Sequence, residues 1–191
     1  ERKSRDMENP KQEAKGQETK GQGTEITEQD RQRNLELQER LEKSPHAKSA
    51  MKNFRDGYNC CQSVVLAFSE EIGLDEKTML RLASPFGGGM GRLREVCGSV
   101  SGMFMVLGSL YGYDNPKDYE GKKELYERVQ QLAAHFREIN GSIVCRQLLG
   151  LKEGASAPAP EKRTQEYYRK RPCEKIIGTA ALILEEYLSE C

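Results

Sequence analysis

Four cysteines stand at or near the predicted starts of helices: Cys60, Cys97, Cys145 and Cys173. The unpaired N–H groups and the dipole of a helix's first turn stabilise a thiolate, which lowers the pKa of the thiol. A thiolate is both a nucleophile and a metal ligand. The four residue positions therefore predict either a thiol-based redox centre or a metal centre.

Two kinds of centre remain open from the residues alone. If the helix starts meet at one end of a bundle, their thiolates form a sulfur-lined pocket suited to an iron–sulfur cluster, an iron ion or a zinc ion. Alternatively, the cysteines cycle between dithiol and disulfide. In that case Cys97 and Cys60 are the catalytic candidates, and Cys97 is expected to attack because its surroundings should lower its pKa most. The spacing matches no local metal motif, and the chain contains no CxxC.

A less specific interpretation is that the cysteines only pack the core, since free cysteine is often buried. The protein would then be a non-catalytic helical interaction domain whose charged N-terminal region recruits a partner. On a helix, the side chain of Cys61 is expected to point roughly a hundred degrees away from that of Cys60. Cys61 is therefore expected to fill the core or to serve as a reserve thiol. Cys191, at the chain end, is expected to be passive.

A glycine-rich turn precedes Cys97. We expect Gly87, Gly88 and Gly89 to be cofactor-binding residues, because glycines allow a close approach of the backbone and can present N–H groups to sulfur. Nucleotide binding is disfavoured, since the turn lacks the Gly-Lys-Ser/Thr of a phosphate-binding loop and no strand precedes it. Arg92 and Arg94 nearby would favour thiolates, or would be solvated.

Helical periodicity runs through the rest of the chain, and no segment alternates as a strand does. The fold class is therefore expected to be all-α: a compact bundle of about five to seven helices with a glycine-rich turn. Residues 1–44 are charged and poor in large apolar side chains, which predicts a mostly disordered tail with a weak helix at 28–43. Residues 45–191 form the predicted cysteine-containing domain. Its helices are expected at these positions: from 47 until Gly57 stops it, 60–72, from the N-cap Asp75 until Pro85 closes it, 95–111, 118–139, 143–149 and 173–189.

The composition narrows the function classes. The net charge is zero, which argues against a nucleic-acid surface, and the longest apolar runs are too short for a membrane span. His46 and His135 are poor ligand candidates. Reduced thiols favour a cytoplasmic location. An upstream leader peptide stays an open alternative because the chain begins at Glu1. The expected partner is a redox protein or a small redox substrate, and homodimerisation is left open.

The cysteine-bearing segments together resemble the redox-active protein family named for its C_GCAxxG_C_C pattern. The segments that carry the resemblance are Gly57-Tyr58-Asn59-Cys60, Gly87-Gly88-Gly89-Met90-Gly91, Val96-Cys97-Gly98-Ser99-Val100-Ser101-Gly102, Cys145 and Cys173. Ser99 and Cys61 stand where a small residue such as Ala is usual. The resemblance covers residues 46–189 and implies a helical domain with functional cysteines at positions 60, 97, 145 and 173.

Overall fold

The computed structural model describes residues 27–152 and 154–190. These residues form an all-α fold, as the sequence predicts, with more helical segments than the expected five to seven. No helix within the described ranges combines the length and the apolarity that a membrane crossing requires. Most of the predicted tail, residues 1–26, and Cys191 lie outside the described residues.

Two helices open the described chain and meet at Ser44. Helix α1 spans Glu28–Lys43, and Thr27 begins it with a capping box to Asp30. Helix α2 spans Pro45–Arg55, where Pro45 occupies a position whose missing N–H costs the helix nothing. The two apolar residues of α1 that are buried, Leu37 and Leu41, pack with Ala47 and Leu182.

Residues at the helix ends fix the bounds of the next three helices. Helix α3 spans Cys60–Ala67, α4 spans Ser69–Ile72 and α5 spans Glu76–Ala83. Asn59 and Asp75 are the N-caps of α3 and α5, and Gly73 ends α4 in the left-handed conformation. The single helix expected over 60–72 is wrong in one respect, because Phe68 leaves helical geometry and divides it.

The glycine-rich turn does not lead directly into a helix at residue 95. A 3-10 turn at Ser84–Phe86 is followed by α6, the single turn Gly87–Met90, in which Gly88 and Gly89 have left-handed angles. Helix α7 spans Gly98–Tyr111, so the expected start near Glu95 is wrong. The residues before α7 are extended because Val96 forms an antiparallel bridge with Val144.

The last four helices complete the bundle. Helix α8 spans Tyr119–Asn140, α9 spans Cys145–Leu148, α10 spans Gln165–Lys170 and α11 spans Cys173–Glu190. Helix α10 lies between the helices expected at 143–149 and 173–189 and is not among the predicted helices. Every residue from Ile176 to Leu184 is buried. Helix α11 is therefore the central element, packed against α2, α3, α7 and α8.

Candidate functional site

One cavity collects the four cysteines that the sequence singles out. Cys60, Cys97, Cys145 and Cys173 all line an opening of about 70 Å³ near the start of α11. Three of them are the first residues of α3, α9 and α11, and Cys97 is the N-cap residue of α7. Helix starts from four separate parts of the chain therefore meet around the same small space. All five described cysteines are free thiols.

The position of Cys60 depends on the start of α3. The side chain of Asn59 accepts hydrogen bonds from the backbone N–H groups of Cys61 and Gln62, which fixes the first turn. The backbone N–H of Gly88 donates to Cys60 Sγ at 3.4 Å. On its other side Cys60 Sγ lies against Gly98, where a Cβ atom would be 2.5 Å from the sulfur. Only glycine at position 98 leaves room for this thiol.

Backbone pairing places Cys97 beside Cys145. The N–H of Cys97 donates to the carbonyl of Ile143 at 2.8 Å, and the N–H of Cys145 donates to the carbonyl of Glu95 at 2.6 Å. These two bonds flank the bridge between Val96 and Val144. Residues far apart in the sequence thus deliver two cysteines to the same cavity.

The three glycines of the turn each lie against a part of the thiol site. A Cβ atom on Gly87 would be 2.7 Å from Cγ of Asn59, and one on Gly89 would be 2.6 Å from Cβ of Cys145. Gly88 lies between them and donates its N–H to Cys60. The expectation that these glycines bind a cofactor stays a prediction, whereas their close packing against the cysteine-bearing elements is a feature of the fold.

The end of the turn carries backbone strain. Met90, Arg92 and Arg94 have positive φ angles of 59°, 70° and 66°, which non-glycine residues seldom adopt. Such residues persist where the surrounding structure holds them, often at functional sites. Here the conformation brings the Arg94 side chain inward, where Nη1 donates to Cys145 Sγ at 3.8 Å and Nε donates to Ser156 Oγ at 2.8 Å.

Burial governs the acidity of three of the cavity thiols. Burial raises the pKa of Cys97 well above its ordinary value, and a negative charge on Cys60 raises this pKa further. A hydrogen bond with Ser99 lowers the pKa of Cys97, but by less than these two effects raise it. Burial also raises the pKa of Cys145, and it raises that of Cys173 to about 11. The expectation that Cys97 has the most lowered pKa is therefore wrong, because desolvation outweighs the effect of the helix start.

Access to the cavity distinguishes the thiols from one another. Cys97 and Cys145 are buried, at 7% and 5% exposed, whereas Cys60 and Cys173 are partly exposed. The charge of Cys60 also contributes to the raised pKa of each of the other three thiols. Cys60 is thus both reachable from outside and electrostatically linked to the remaining cavity cysteines.

Comparison with known proteins agrees with this arrangement. Residues 58–187, more than half of the chain, match the family described as "Putative redox-active protein (C_GCAxxG_C_C)". The chain belongs to this family. The description of the C_GCAxxG_C_C family supports a general redox role, and the matched range contains all four cavity cysteines. Among curated proteins and among solved structures, nothing matches the chain.

The donor geometry bears on the predicted metal centre. Within the described residues, no group of three or more His, Cys, Asp or Glu side chains is arranged so that it could hold a metal ion. The four thiols share a cavity, but their placement does not form a ligand set. His46 lies between Glu185 and Glu71, and His135 lines a separate groove beside α1.

The two cysteines adjacent in sequence diverge, as the helical geometry predicts. Cys61 is fully buried on the other face of α3, where its Sγ donates to Sδ of Met105 at 3.5 Å. It packs with Val65, Met79 and Ala83 in a small apolar cluster. Cys61 thus fills the core rather than the cavity.

Sequence reasoning missed several residues that line the cavity. Arg163, Tyr167 and Arg171 approach it from the segment before α11. Their only sequence signal is a run of aromatic and basic residues just before Cys173, and that pattern is equally typical of a solvated helix. Ser99 was noted only as a replacement, yet its Oγ lies 3.2 Å from Cys97 Sγ in hydrogen-bond contact.

Proposed function

We propose that this protein is a thiol–disulfide oxidoreductase in which Cys60 is the reacting thiol and Cys97 its partner. The observation that carries the proposal is the convergence of four free thiols on one cavity, with Cys60 partly exposed at it. The family description supports redox chemistry in general. The choice of cysteine pair comes from the geometry around Cys60.

Cys60 is favoured as the attacking thiol for three reasons. Its sulfur is partly exposed, it accepts a hydrogen bond from the Gly88 N–H, and it stands in the first turn of α3. An N–H donor and a helix N-terminus both stabilise a thiolate. Cys97 is buried and its pKa is raised, so the two catalytic candidates are assigned in the reverse order from that expected from the sequence.

The proposed reaction moves two electrons from the thiol pair to a substrate disulfide. The Cys60 thiolate attacks one substrate sulfur, forms a mixed disulfide and releases the other sulfur as a thiolate. Cys97 then loses its proton and attacks the Cys60 sulfur, which releases the second substrate thiolate and leaves a Cys60–Cys97 disulfide. The two protons that the cysteines lose are taken up by the two released thiolates. Reversal of the same steps oxidises a substrate dithiol.

The electrostatics of the pair favour this order of events. The negative charge of Cys60 is the largest charge effect that raises the pKa of Cys97. Formation of the mixed disulfide removes that charge, so the pKa of Cys97 falls at the step in which Cys97 must act. Cys60 Sγ lies against Gly98, the residue that follows Cys97, which keeps the two cysteines close.

Reaction with bis(2-hydroxyethyl) disulfide tests the proposal. Loss of protein thiols and the mass of the adduct are followed in the wild type, in Cys60→Ser and in Cys61→Ser. We expect the wild type to lose its most reactive thiol in a fast phase of the reaction. Cys60→Ser should abolish this fast phase, whereas Cys61→Ser should keep it because Cys61 lies outside the cavity. A Cys60→Ser variant that reacts as fast as the wild type would instead favour the non-catalytic interaction domain.

A metal or iron–sulfur centre is the second candidate, and it rests on the same convergence of four thiols. It requires the cysteine side chains to rearrange, because the described residues contain no ready ligand group. Iron, zinc and acid-labile sulfide analysis of anaerobically purified protein tests it. Stoichiometric metal that is lost in Cys97→Ser would support the metal centre, and metal-free protein with titratable thiols would reject it.

The setting of the reaction belongs to the same proposal. Free thiols that must be able to return to the reduced state fit a reducing compartment such as the cytoplasm. The oxidant is either a redox protein or a small disulfide. The small cavity favours the second, since only a few atoms can enter it.

A further inference from the structure

Arginine side chains give the thiol cavity a positive lining. Arg94, Arg163 and Arg171 all border it, and none of the described residues that line it is an Asp or a Glu. The starts of α3 and α11 also face it through Cys60 and Cys173, and helix N-termini favour negative charge. Glu161 stands outside the lining and pairs with Arg171 and Arg92.

The three arginines differ in how their charges are balanced. Arg171 has its carboxylate partner in Glu161, and Arg163 lies 4.5 Å from the centre of the Phe54 ring and donates to the Phe54 carbonyl. Arg94 is only 3% exposed, and its guanidinium group donates hydrogen bonds to the Ser156 hydroxyl and the Cys145 sulfur. Within residues 27–152 and 154–190, no carboxylate forms an ion pair with it.

A buried cation with only neutral hydrogen-bond partners is costly, and an anion beside it would offset that cost. Three of the four cavity thiols do not supply the charge, because the pKa values of Cys97, Cys145 and Cys173 are raised and keep these groups neutral at pH 7. The thiolate of Cys60 loses its charge when it forms the mixed disulfide. The cavity of about 70 Å³ has room for about five water-sized groups, at roughly 15 Å³ for each. That size fits a sulfur atom with a short acidic tail.

We propose that the cavity binds the acidic group of a small anionic disulfide, with Arg94 as the residue that receives it beside Cys60. The proposal rests on the proposed function of Cys60, and it names the substrate class for that site. The reaction is the exchange described above: the Cys60 thiolate forms a mixed disulfide with one half of the substrate and releases the other half as a thiolate.

Three small disulfides of similar size and different charge test the proposal. Dithiodiglycolate is anionic, bis(2-hydroxyethyl) disulfide is neutral and cystamine is cationic. The rate of Cys60 modification by each is divided by its rate with 2-mercaptoethanol, a thiol with no other charged group, which removes differences in intrinsic reactivity. We expect the corrected rate to be at least about tenfold higher for the anionic than for the cationic reagent at low salt.

Variants of the arginines locate the effect. The charge preference is the ratio of the corrected rate for the anionic disulfide to that for the cationic disulfide. Arg94→Gln should lower this ratio towards one, and Arg94→Lys should keep part of it. If Arg94→Gln prevents folding, Arg171→Gln tests the effect of the positive lining instead, because Arg171 is only partly buried. Arg146→Gln is the matched control, because it removes a nearby positive charge that pairs with Glu95 and does not line the cavity. This control should keep the preference.

Anion binding is measured separately from the chemistry. Methanesulfonate should raise the Tm of the wild type and of Cys60→Ser above the value in chloride at equal ionic strength, and it should not do so in Arg94→Gln. Corrected rates that are equal for the three disulfides would overturn the anion proposal while the proposed function stands. A Tm rise without any reaction at Cys60 would leave the anion site and reject the oxidoreductase. Absence of both effects would reject the two together.

Discussion

Gly98 and Cys60 are in contact so close that the backbone of α7 forms one wall of the thiol site. A Cβ atom at position 98 would lie 2.5 Å from Cys60 Sγ and 2.7 Å from the carbonyl oxygen of Phe86. No side chain can be added at position 98 without moving the sulfur or the turn that carries Phe86. The glycine that follows Cys97 therefore determines where the neighbouring thiol stands.

Substitution of this glycine should damage both stability and reactivity. We expect Gly98→Ala to lower the free energy of unfolding by about 1–3 kcal/mol and to slow the reaction of Cys60, because the new methyl group displaces the sulfur. Gly108→Ala is the control in the same helix, where nothing lies within 4 Å of the added atom. It should be neutral or stabilise by up to about 1 kcal/mol, since alanine favours the helix. Denaturant titration and the rate of thiol loss check both variants, and equal losses of stability would contradict the contact.

A second glycine pair separates backbone strain from packing. Gly89 and Gly73 have similar φ angles of 71° and 67°, but only Gly89 faces a neighbour, with Cys145 Cβ 2.6 Å from the position of an added Cβ. Gly73→Ala should cost about 1–2 kcal/mol from its left-handed backbone alone. Gly89→Ala should cost about 1–3 kcal/mol more, because it also pushes Cys145 away. Equal costs in thermal unfolding would show that Gly89 does not support Cys145.

The raised pKa values of the buried thiols predict a loss of stability in alkali. An unfolded cysteine loses its proton near pH 8.5, whereas Cys173 in the fold keeps its proton up to about pH 11. Above pH 8.5 the unfolded chain therefore binds fewer protons than the fold, and the free energy of unfolding falls as pH rises. Each such thiol contributes a slope of at most about 1.4 kcal/mol per pH unit. Denaturant titrations from pH 7 to pH 11 should show a shallower decline in Cys173→Ala, and an unchanged decline would contradict the raised pKa.

Helix α1 should contribute to the stability of the bundle. Leu41 is 5% exposed and lies near Gly178 on α11, whereas Leu35 on the same helix is 58% exposed. Leu41→Ala should cost about 2–5 kcal/mol because it leaves a cavity between α1 and α11. Leu35→Ala should change the free energy of unfolding by less than about 0.5 kcal/mol. A small effect of Leu41→Ala in urea titration would show that α1 is dispensable for the fold.

The parts of the fold that short-range chemistry determines were predictable from the sequence. Asn59 and Asp75 accept backbone N–H groups at the starts of α3 and α5, and Gly73 takes the left-handed angle that ends α4. Each of these positions is recognised from a residue type and its immediate neighbours. The helix start at Cys60 follows from the same kind of signal, since Asn59 caps it, whereas the starts at Cys97 and Cys145 have no side-chain cap.

The parts that depend on distant contacts were not predictable. Residues before Cys97 are extended because they pair with the segment around Val144, a contact that helical periodicity does not report. The acidity of Cys97 was predicted in the wrong direction, since the sequence shows that it stands at a helix start but not that the fold buries it. The arrival of Arg163 and Arg171 at the cavity depends on the path of the loop before α10, which carries no periodic signal.

Disulfide mapping after oxidation tests the central claim most directly. Cys60 and Cys61 have no Lys or Arg between them and share a tryptic peptide, so the measurement uses the Cys61→Ser background. The protein is oxidised with bis(2-hydroxyethyl) disulfide, its remaining thiols are alkylated, and the cross-linked peptides are identified by mass spectrometry. The account predicts an intramolecular disulfide between Cys60 and Cys97. A Cys60 that stays free while other cysteines oxidise, or that pairs without Cys97, would contradict it.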